Sequence, residues 1–520
     1  MRGKFRFLLA SLTMLSMLVA ACGGGGGATG GSGTTPSPAP SSAPGGGGNE
    51  TPAETPAPPA EITYFVSDHN LAVPSDDDPR LKYMEEKANV DLKVEYLPHG
   101  QYLDQLNLKF ASGEFPSVYQ SWSGPAPELV EGGKIVVLND LIEQYGPNLK
   151  KNISEDAWSA VTVKGDILAV PQPSSIKSGQ VMFIRKDWLD KLGLDIPKTS
   201  DELLEVMRAF RDGDPNGNGK KDEIAFSMRE NISWSENIWG MWGIGTAWTE
   251  YYYNGEVILG NIHPNILKPL EYLRTMHAEG LLDSEFLTNN RSTWEQKIKA
   301  GLAGIWNHDP TLITQWNKDL QESIPEQNPE VIVIPTPQGA GYDGPVGSRW
   351  SPIAKTFIVT TEAKDPAAVI RWLDWLMSEE GQLYTNLGVE GDTYTVAGDG
   401  SYEFNSEKSE EIGWLTLFSV GGYHAEATKA KLNDDAAFEK LNEAYTIANT
   451  QGWPNEAIGM PPIADEKNMT TMFREIAAKV IVGQADLAAY EQFMKDWRAQ
   501  GGEELVKERT EWYNQNRLNQ

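Results

Sequence analysis

An α/β fold built on largely parallel sheet is what this 520-residue sequence predicts, and three observations carry the expectation. Strand, helix, strand and helix patterns follow one another over residues 61–112, the order that places strands side by side in parallel. The same alternation returns further along the chain. After the first sixty residues no stretch approaches ~18 consecutive apolar residues, so the remaining chain of about 460 residues must bury its apolar side chains against one another, enough for a large core and two or three domains.

The elements follow in order. Glu61–Val66 reads as a strand, Pro79–Asn89 as a charged amphipathic helix, Asp91–Tyr96 as an alternating strand and Gln101–Ser112 as a helix. Gln180–Arg185 is strand-like and Asp187–Leu192 helical. Thr199–Arg211 opens on Thr199-Ser200-Asp201-Glu202, a good helix cap. Pro264–Glu279 reads as a helix stopped by Gly280, and Val331–Ile334 as a strand. Asp365–Glu380, Thr470–Ile481 and Asp486–Gln500 read as helices. Trp372 and Trp375, inside the periodic 365–380 segment, are expected in the core.

The N-terminus carries a targeting signal. Arg2, Lys4 and Arg6 precede an apolar run from Phe7 to Val19, interrupted by Ser11, Thr13 and Ser16. That run is shorter than the ~20 residues of a membrane span and has the layout of a secretory signal. Leu18-Val19-Ala20-Ala21-Cys22 looks like a bacterial lipobox, so residues 1–21 are expected to be removed and Cys22 lipidated. The alternative is an ordinary signal with Cys22 incidental. Cys22 is the sole cysteine, so an internal disulfide is impossible and lipid attachment gives the thiol a purpose. Residues 22–60 are nearly all Gly, Ser, Thr, Pro and Ala, a flexible tether that cannot bury enough surface to order itself.

Composition narrows the partners. Lys and Arg number 44 against 73 Asp and Glu, a net charge of −29, which excludes charge-driven binding to nucleic acid or anionic lipid. The 17 tryptophans, several beside Gly, Ser or Pro, offer flat stacking surfaces. The six histidines (His69, His99, His263, His277, His308, His424) show no His-Glu-x-x-His spacing. Neither a Gly-x-Ser-x-Gly elbow nor a phosphate-binding glycine loop is present. A glycosidase needs only two carboxylates, and the acidic residues mark out no pair.

The string Phe183-Ile184-Arg185-Lys186-Asp187-Trp188-Leu189, then Lys191-Leu192-Gly193-Leu194 and Pro197-Lys198-Thr199, resembles the start of the second lobe in family-1 extracellular solute-binding proteins of ABC importers. More specifically it is similar to their large lipoprotein (LplA-like) branch. Glu279-Gly280-Leu281-Leu282-Asp283, Leu387-Gly388-Val389-Glu390-Gly391-Asp392-Thr393-Tyr394 and Lys479-Val480-Ile481-Val482-Gly483 match in family order across nearly the whole mature chain. The resemblance implies a two-lobed periplasmic-binding-protein-like (type II) α/β fold whose lobes are joined by multiple crossover segments, with ligand in the cleft between them. Lobe 1 would hold 61–178 plus 338–385, and lobe 2 would hold 179–337 plus 386–520. It further implies a lipid-anchored monomer on the extracytoplasmic face of the cell membrane. Such a protein captures a sugar or oligosaccharide by lobe closure and passes it to ABC permease subunits, without catalysis. Two alternatives stand beside this reading: a surface carbohydrate-active hydrolase or lyase, and a carbohydrate sensor or adhesin that imports nothing.

Within that frame, Asp214-Pro215-Asn216-Gly217-Asn218-Gly219-Lys220-Lys221-Asp222-Glu223 presents oxygens at alternate positions around glycines. The spacing suits Ca²⁺, which takes six to eight oxygen ligands. Asp214, Asn216, Asn218, the Lys220 carbonyl, Asp222 and Glu223 are the candidate ligands of a structural calcium ion. Ala225 stands where an EF-hand has its bidentate Glu, so Glu223 would serve instead, a shortened form similar to the loop of the lipoprotein branch. The alternative is a solvated turn that binds nothing.

The candidate ligand contacts are aromatic, because the apolar face of a sugar ring packs on an indole while its hydroxyls need hydrogen bonds at the edge. Trp122 in Ser121-Trp122-Ser123-Gly124 and Trp306 in Gly304-Ile305-Trp306-Asn307 are similar to cleft positions of the family. Trp350 follows a probable crossover strand. Trp239 and Trp242 belong to a cluster with Trp234, Trp248 and Tyr251–Tyr253, and could equally form one apolar helix face. Arg349 and Glu390 are the polar candidates.

Overall fold

A computed structural model describes residues 58–245, 249–453, 455, 457, 459–460, 463 and 466–516, with the side chains of 466 and 467 excepted. Cys22, the signal, most of the tether and Trp248 lie outside the described residues. Among the described residues no helix is long and apolar enough to cross a membrane. Pro58–Gln520 forms one compact unit.

Strands β1 (Ala60–Ser67), β2 (Val90–Leu97), β3 (Val118–Ser121), β4 (Val170–Pro173), β5 (Val181–Arg185), β6 (Ile224–Ser227), β7 (Glu250–Tyr253), β8 (Glu256–Leu259), β9 (Ala303–His308), β10 (Val331–Ile334) and β11 (Ile353–Val359) make the sheets that matter. The first sheet runs β2-β1-β3-β11-β4 and the second β10-β5-β9-β6; β7 and β8 form a separate hairpin. β1 pairs in parallel with β2 and β3, as the strand–helix–strand order requires. The sheets are nonetheless mixed. β11 is antiparallel to β3 and β4, and β5 to β9 and β10. These antiparallel strands sit at the crossovers. The chain leaves the first sheet after β4 to enter the second as β5, and leaves the second after β10 to return as β11. A strand fed from the other sheet is not bound by the parallel rule of a local βαβ unit.

Both sheets are covered on both faces, and alternation sorts the side chains. In β1, Ile62, Tyr64 and Val66 enter one core while Phe65 enters another; Phe357 and Val359 of β11 part from Ile358 in the same way. In β5, Val181 and Phe183 face one core, Met182 and Ile184 the other. The helices match the sequence closely. Pro79–Ala88, Tyr102–Ala111 and Ser200–Asp212 lie within two residues of expectation, the last with a complete Thr199–Glu202 capping box. The expected 365–380 helix is two helices, Pro366–Met377 and Glu379–Leu387. Ser378 divides them: it adopts extended backbone, and its hydroxyl caps the second helix by accepting from Gly381 N–H. Trp372 is fully buried and Trp375 half-buried with its indole on Glu380.

The division of segments differs from expectation after Leu387. Residues 386–420 are assigned to lobe 2 by the sequence, yet Ile412, Trp414, Leu417 and Phe418 pack into the first sheet's core. Arg80 bonds Asp392 and Glu411 there, at 2.8 Å each, and so holds the segment against the helix after β1. The chain crosses back only afterwards: Leu441, Ala444 and Ala448 of the helix Asp435–Thr450 pack in the second sheet's core. The C-terminal helices Glu466–Ile481, Leu487–Trp497 and Glu503–Asn516 stay on that side.

Candidate functional site

Three parallel strands of the first sheet deliver an aromatic ring each at their carboxyl ends, the edge where open α/β sheets hold ligands. β1 leads to His69, β2 to His99 and β3 to Trp122. The imidazoles stack with centroids 4.7 Å apart. Both meet Trp122 edge-on at 5.9 Å, and Tyr102 meets it at 5.4 Å and 83°. Ser67 Oγ bonds His99 Nδ1 at 2.9 Å, and Gln120 Nε2 lies 3.3 Å from His69 Nε2. Gln120 Oε1 is buried with no hydrogen-bond partner. Burial, with His99 and Lys355 nearby, lowers the His69 pKa from its ordinary value. Lys355 lies in β11, where its buried ammonium donates to the carbonyls of Thr416 and Leu417; burial pulls its pKa down to about 7.

Trp122 is 37% exposed and lines a cavity of about 460 Å³, within the size range of small-ligand sites. Ser123–Pro125 and Val161 line it on the first-sheet side. Ser351–Ile353 contribute from the second crossover, and Asn455, Ala457, Gly459, Met460 and Trp512 from the C-terminal segment. Sequence reasoning singled out neither His69 nor His99. The available signal was their place two residues past the ends of adjacent parallel strands. Trp512, inside a charged helix pattern, gave none.

The other predicted contacts fall elsewhere. Trp306 is not in a turn but inside β9, fully buried and stacked on Phe183 at 5.9 Å and 5°. The strand runs on to His308 and is buried on both faces, so Trp306 lies in a core with Trp316 and Trp294 whichever face it takes. Gly304 is needed beside it, since a Cβ there would lie 2.4 Å from Phe210 and 2.8 Å from Trp188. Trp239 and Trp242 are core residues too. Their indoles donate to Ser235 Oγ at 2.9 Å and the Ala340 carbonyl at 3.1 Å. Trp350 is half-buried beside the cavity lining; its indole donates to Gln451 O at 2.8 Å and Lys177 covers its ring at 4.3 Å. Arg349 is committed to Glu250 at 3.1 Å. Glu390 is exposed on the turn before Tyr394, outside the cavity lining.

A second polar group gathers at the carboxyl end of β9. Both ring nitrogens of His308 are buried without partners, as are Gln180 Oε1, Glu236 Oε2 and Asn237 Oδ1. Trp234 meets His308 edge-on at 3.9 Å and carries Arg229 over its ring at 4.8 Å. Burial drives the His308 pKa down to about 3, helped by Arg291, and pushes Glu236 up to about 7.

In the 214–223 loop, Gly217 and Gly219 take positive φ (74° and 73°), as a tight turn demands. Asn216 and Asn218 amides donate to Asp222, and Lys191 Nζ donates to Pro215 O at 2.8 Å. Asp214 Oδ1 and both Glu223 carboxylate oxygens are buried with no partner. Burial raises the Glu223 pKa, and Asp214 and Asp222 add to the effect. Among the described residues no three His, Cys, Asp or Glu side chains form a ready cluster; here the acids alternate with asparagine and backbone oxygens. Three unpaired carboxylate oxygens in one loop fit the demand of a hard cation.

The fold sets two α/β sheets joined by crossovers, with a cavity beside the carboxyl end of β3 in the first, the layout of a binding protein. Residues 53–383 match the family of bacterial extracellular solute-binding proteins, and the chain belongs to that family. It is 26% identical over 475 residues to lipoprotein LipO of Bacillus subtilis, covering 85% of this chain and 89% of LipO. It is 24% identical over 455 residues to the polygalacturonan/rhamnogalacturonan-binding protein YtcQ of the same organism, covering 84% and 88%. The fructooligosaccharide ABC transporter substrate-binding protein FusA of Streptococcus pneumoniae is 28% identical over 323 residues, 56% of each chain. Among solved structures, an extracellular solute-binding protein of Bifidobacterium longum subsp. infantis superposes with a TM-score of 0.69 at 20% identity, covering 88% of this chain and 98% of that one. An EF-hand mutant of FusA superposes at 0.66 and 20% identity, covering 88% and 100%. Alginate-binding protein AlgQ2 without calcium ion superposes at 0.64 and 20%, covering 88% and 98%. The fold is therefore that of two-lobed solute-binding proteins.

Proposed function

We propose that this chain captures a saccharide outside the cell and delivers it to an ABC permease without chemical turnover. The observation that carries the proposal is the half-exposed Trp122 indole, braced edge-on by His69, His99 and Tyr102 and presented to a 460 Å³ cavity. A partly exposed indole held among other rings offers a rigid apolar surface to the C–H face of a pyranose or furanose. The carbohydrates bound by FusA and YtcQ support the ligand class.

Binding is coupled to closure, because a closed form makes contacts from both lobes. The lobes consist of 61–178 with 338–385, extended by the 386–420 segment, and of 179–337 with the C-terminal helices. Cys22 carries the lipid and residues 23–60 the tether, a reading supported by the likeness to lipoprotein LipO. The loop 214–223 holds a calcium ion through Asp214, Asn216, Asn218, the Lys220 carbonyl, Asp222 and Glu223. Its role is to pin the loop against the Lys191 helix, away from the cavity. The EF-hand of FusA and the calcium of AlgQ2 support that reading.

Calorimetry against fructan, pectic and alginate oligosaccharides, with product analysis of the same mixtures, tests the proposal. Stoichiometric binding without new products is expected; catalytic release of smaller sugars would instead mark a hydrolase or lyase.

A further inference from the structure

We propose that Trp512, on the C-terminal helix Glu503–Asn516, is a second aromatic wall of the cavity, and that the shared carboxylate of Glu250 positions it. The inference rests on the cavity being a saccharide site and names a specificity residue of that site.

Trp512 is half-buried. It lines the 460 Å³ cavity together with Trp122, and also an adjoining one of about 210 Å³ beside Trp158 and Lys164. Its neighbours hold the helix elsewhere. Arg509 Nη2 donates to Glu250 Oε1, Val257 N–H donates to Thr510 Oγ1 at 2.8 Å, and Tyr513 stacks on Tyr252 at 4.7 Å and 18°. Residues 509, 510 and 513 thus face the β7–β8 hairpin. At about 100° per residue, position 512 projects from the flank of that face. The hairpin therefore fixes the helix, and the helix presents Trp512 to the cavity.

Glu250 ties this arrangement to the crossover. Its side chain is about 10% exposed, and its second oxygen takes Arg349 at 3.1 Å. Arg349 also bridges to Trp453 through the backbone. Three and four residues further on, Pro352 and Ile353 line the cavity. One carboxylate thus registers two walls, the Trp512 helix and the 351–353 segment. A carboxylate shared by two guanidiniums in a buried place is costly to disturb, because its loss leaves like charges facing each other without compensation. The apolar ring face of a saccharide residue is the ligand chemistry that a second indole in the Trp122 cavity recognises.

The test uses the full chain in detergent and an oligosaccharide array that includes 1-kestose and trigalacturonate, with affinities read by calorimetry for the members bound. W512A is expected to weaken binding about tenfold and W512F to recover part of the loss. E250Q is expected to weaken binding severalfold, and to be clearly less than additive with W512A, because part of its effect passes through the same ring. W512F keeps the test readable if W512A unfolds. Unchanged affinity in W512A while W122A loses binding overturns the inference and leaves the saccharide reading standing. Full additivity of E250Q and W512A overturns the positioning role. An array with no bound member removes the saccharide reading, and this inference with it.

Discussion

The imidazoles of His69 and His99 stack 4.7 Å apart although thirty residues separate them in sequence. The contact exists because β1 and β2 pair in parallel register from Ala60↔Val90 to Ser67↔Leu97, so both strands end together and each hands over one histidine. Trp122 closes the group from β3. Such a cluster is a product of parallel pairing, and its members act as a unit.

Truncating Trp122 to Ala is therefore expected to weaken saccharide binding about tenfold or more, the scale of one aromatic platform with its burial. H69A is expected to do less, because His69 braces the indole without lining the cavity. Titration calorimetry of both variants checks the order. Equal losses would mean that His69 contacts ligand as strongly as the indole does.

Trp306 gives the opposite pattern. It is enclosed by Phe183, Trp316 and their neighbours, so W306A is expected to cost about 3–5 kcal/mol of stability. Affinity per folded molecule should change little. Urea unfolding together with calorimetry well below the melting temperature separates the two effects.

The calcium reading predicts a melting temperature that falls by several degrees when EDTA is added and recovers with excess Ca²⁺, since a ligand bound only to the folded state stabilises it. E223Q should abolish the response, because it removes charge from the pair of unpaired oxygens facing the loop. Differential scanning fluorimetry in metal-free buffer reads the outcome, and an identical curve with and without EDTA would dismiss the ion.

Two buried imidazoles set a pH dependence. Burial lowers His308 to about 3 and His263 to about 4, against ~6.5 in an unfolded chain. Between those values the unfolded state binds more protons, so stability rises with pH across that window. Their contribution is complete above ~6.5 and is lost as the pH falls towards 4 and 3. Glu236, raised to about 7, works in the other sense: its contribution is present below ~4.3 and lost as the pH climbs through 7. Replacing Glu236 by Gln should therefore steepen the net gain in stability from pH 4.5 to 7, measured by denaturant unfolding at each pH.

Anchoring through Cys22 predicts that C22S releases the protein from the membrane fraction into the medium without altering its affinity for saccharide. Fractionation followed by immunoblotting distinguishes this from a tether that merely trails a secreted domain.

Much of the local structure was legible without coordinates. The period-two strands at 61–66 and 91–96, the Thr199–Glu202 cap and the stop at Gly280 depend on residues within a turn or two of one another, and local chemistry settles them. The family strings carried the two-lobed architecture. Trp122 was singled out by its likeness to a cleft position of the family, and it lines the cavity. Trp306 was misplaced because Gly304 resembles a turn residue, whereas its missing side chain makes room for Phe210 and Trp188.

What the sequence by itself determined is the character of each piece: a basic and apolar N-terminal run with a lone cysteine, a Gly-, Ser- and Pro-rich stretch, an acidic α/β body and an oxygen-rich loop. What the tertiary structure decided is which pieces meet. Layers packed on both faces of β9 enclosed Trp306, parallel register joined His69 to His99, and the Arg80 ion pairs drew residues 386–420 to the first sheet. The hairpin turned Trp512 towards Trp122, which lies 390 positions earlier in the numbering. Contacts across such distances are fixed by packing and shared charges, whose partners no local pattern names.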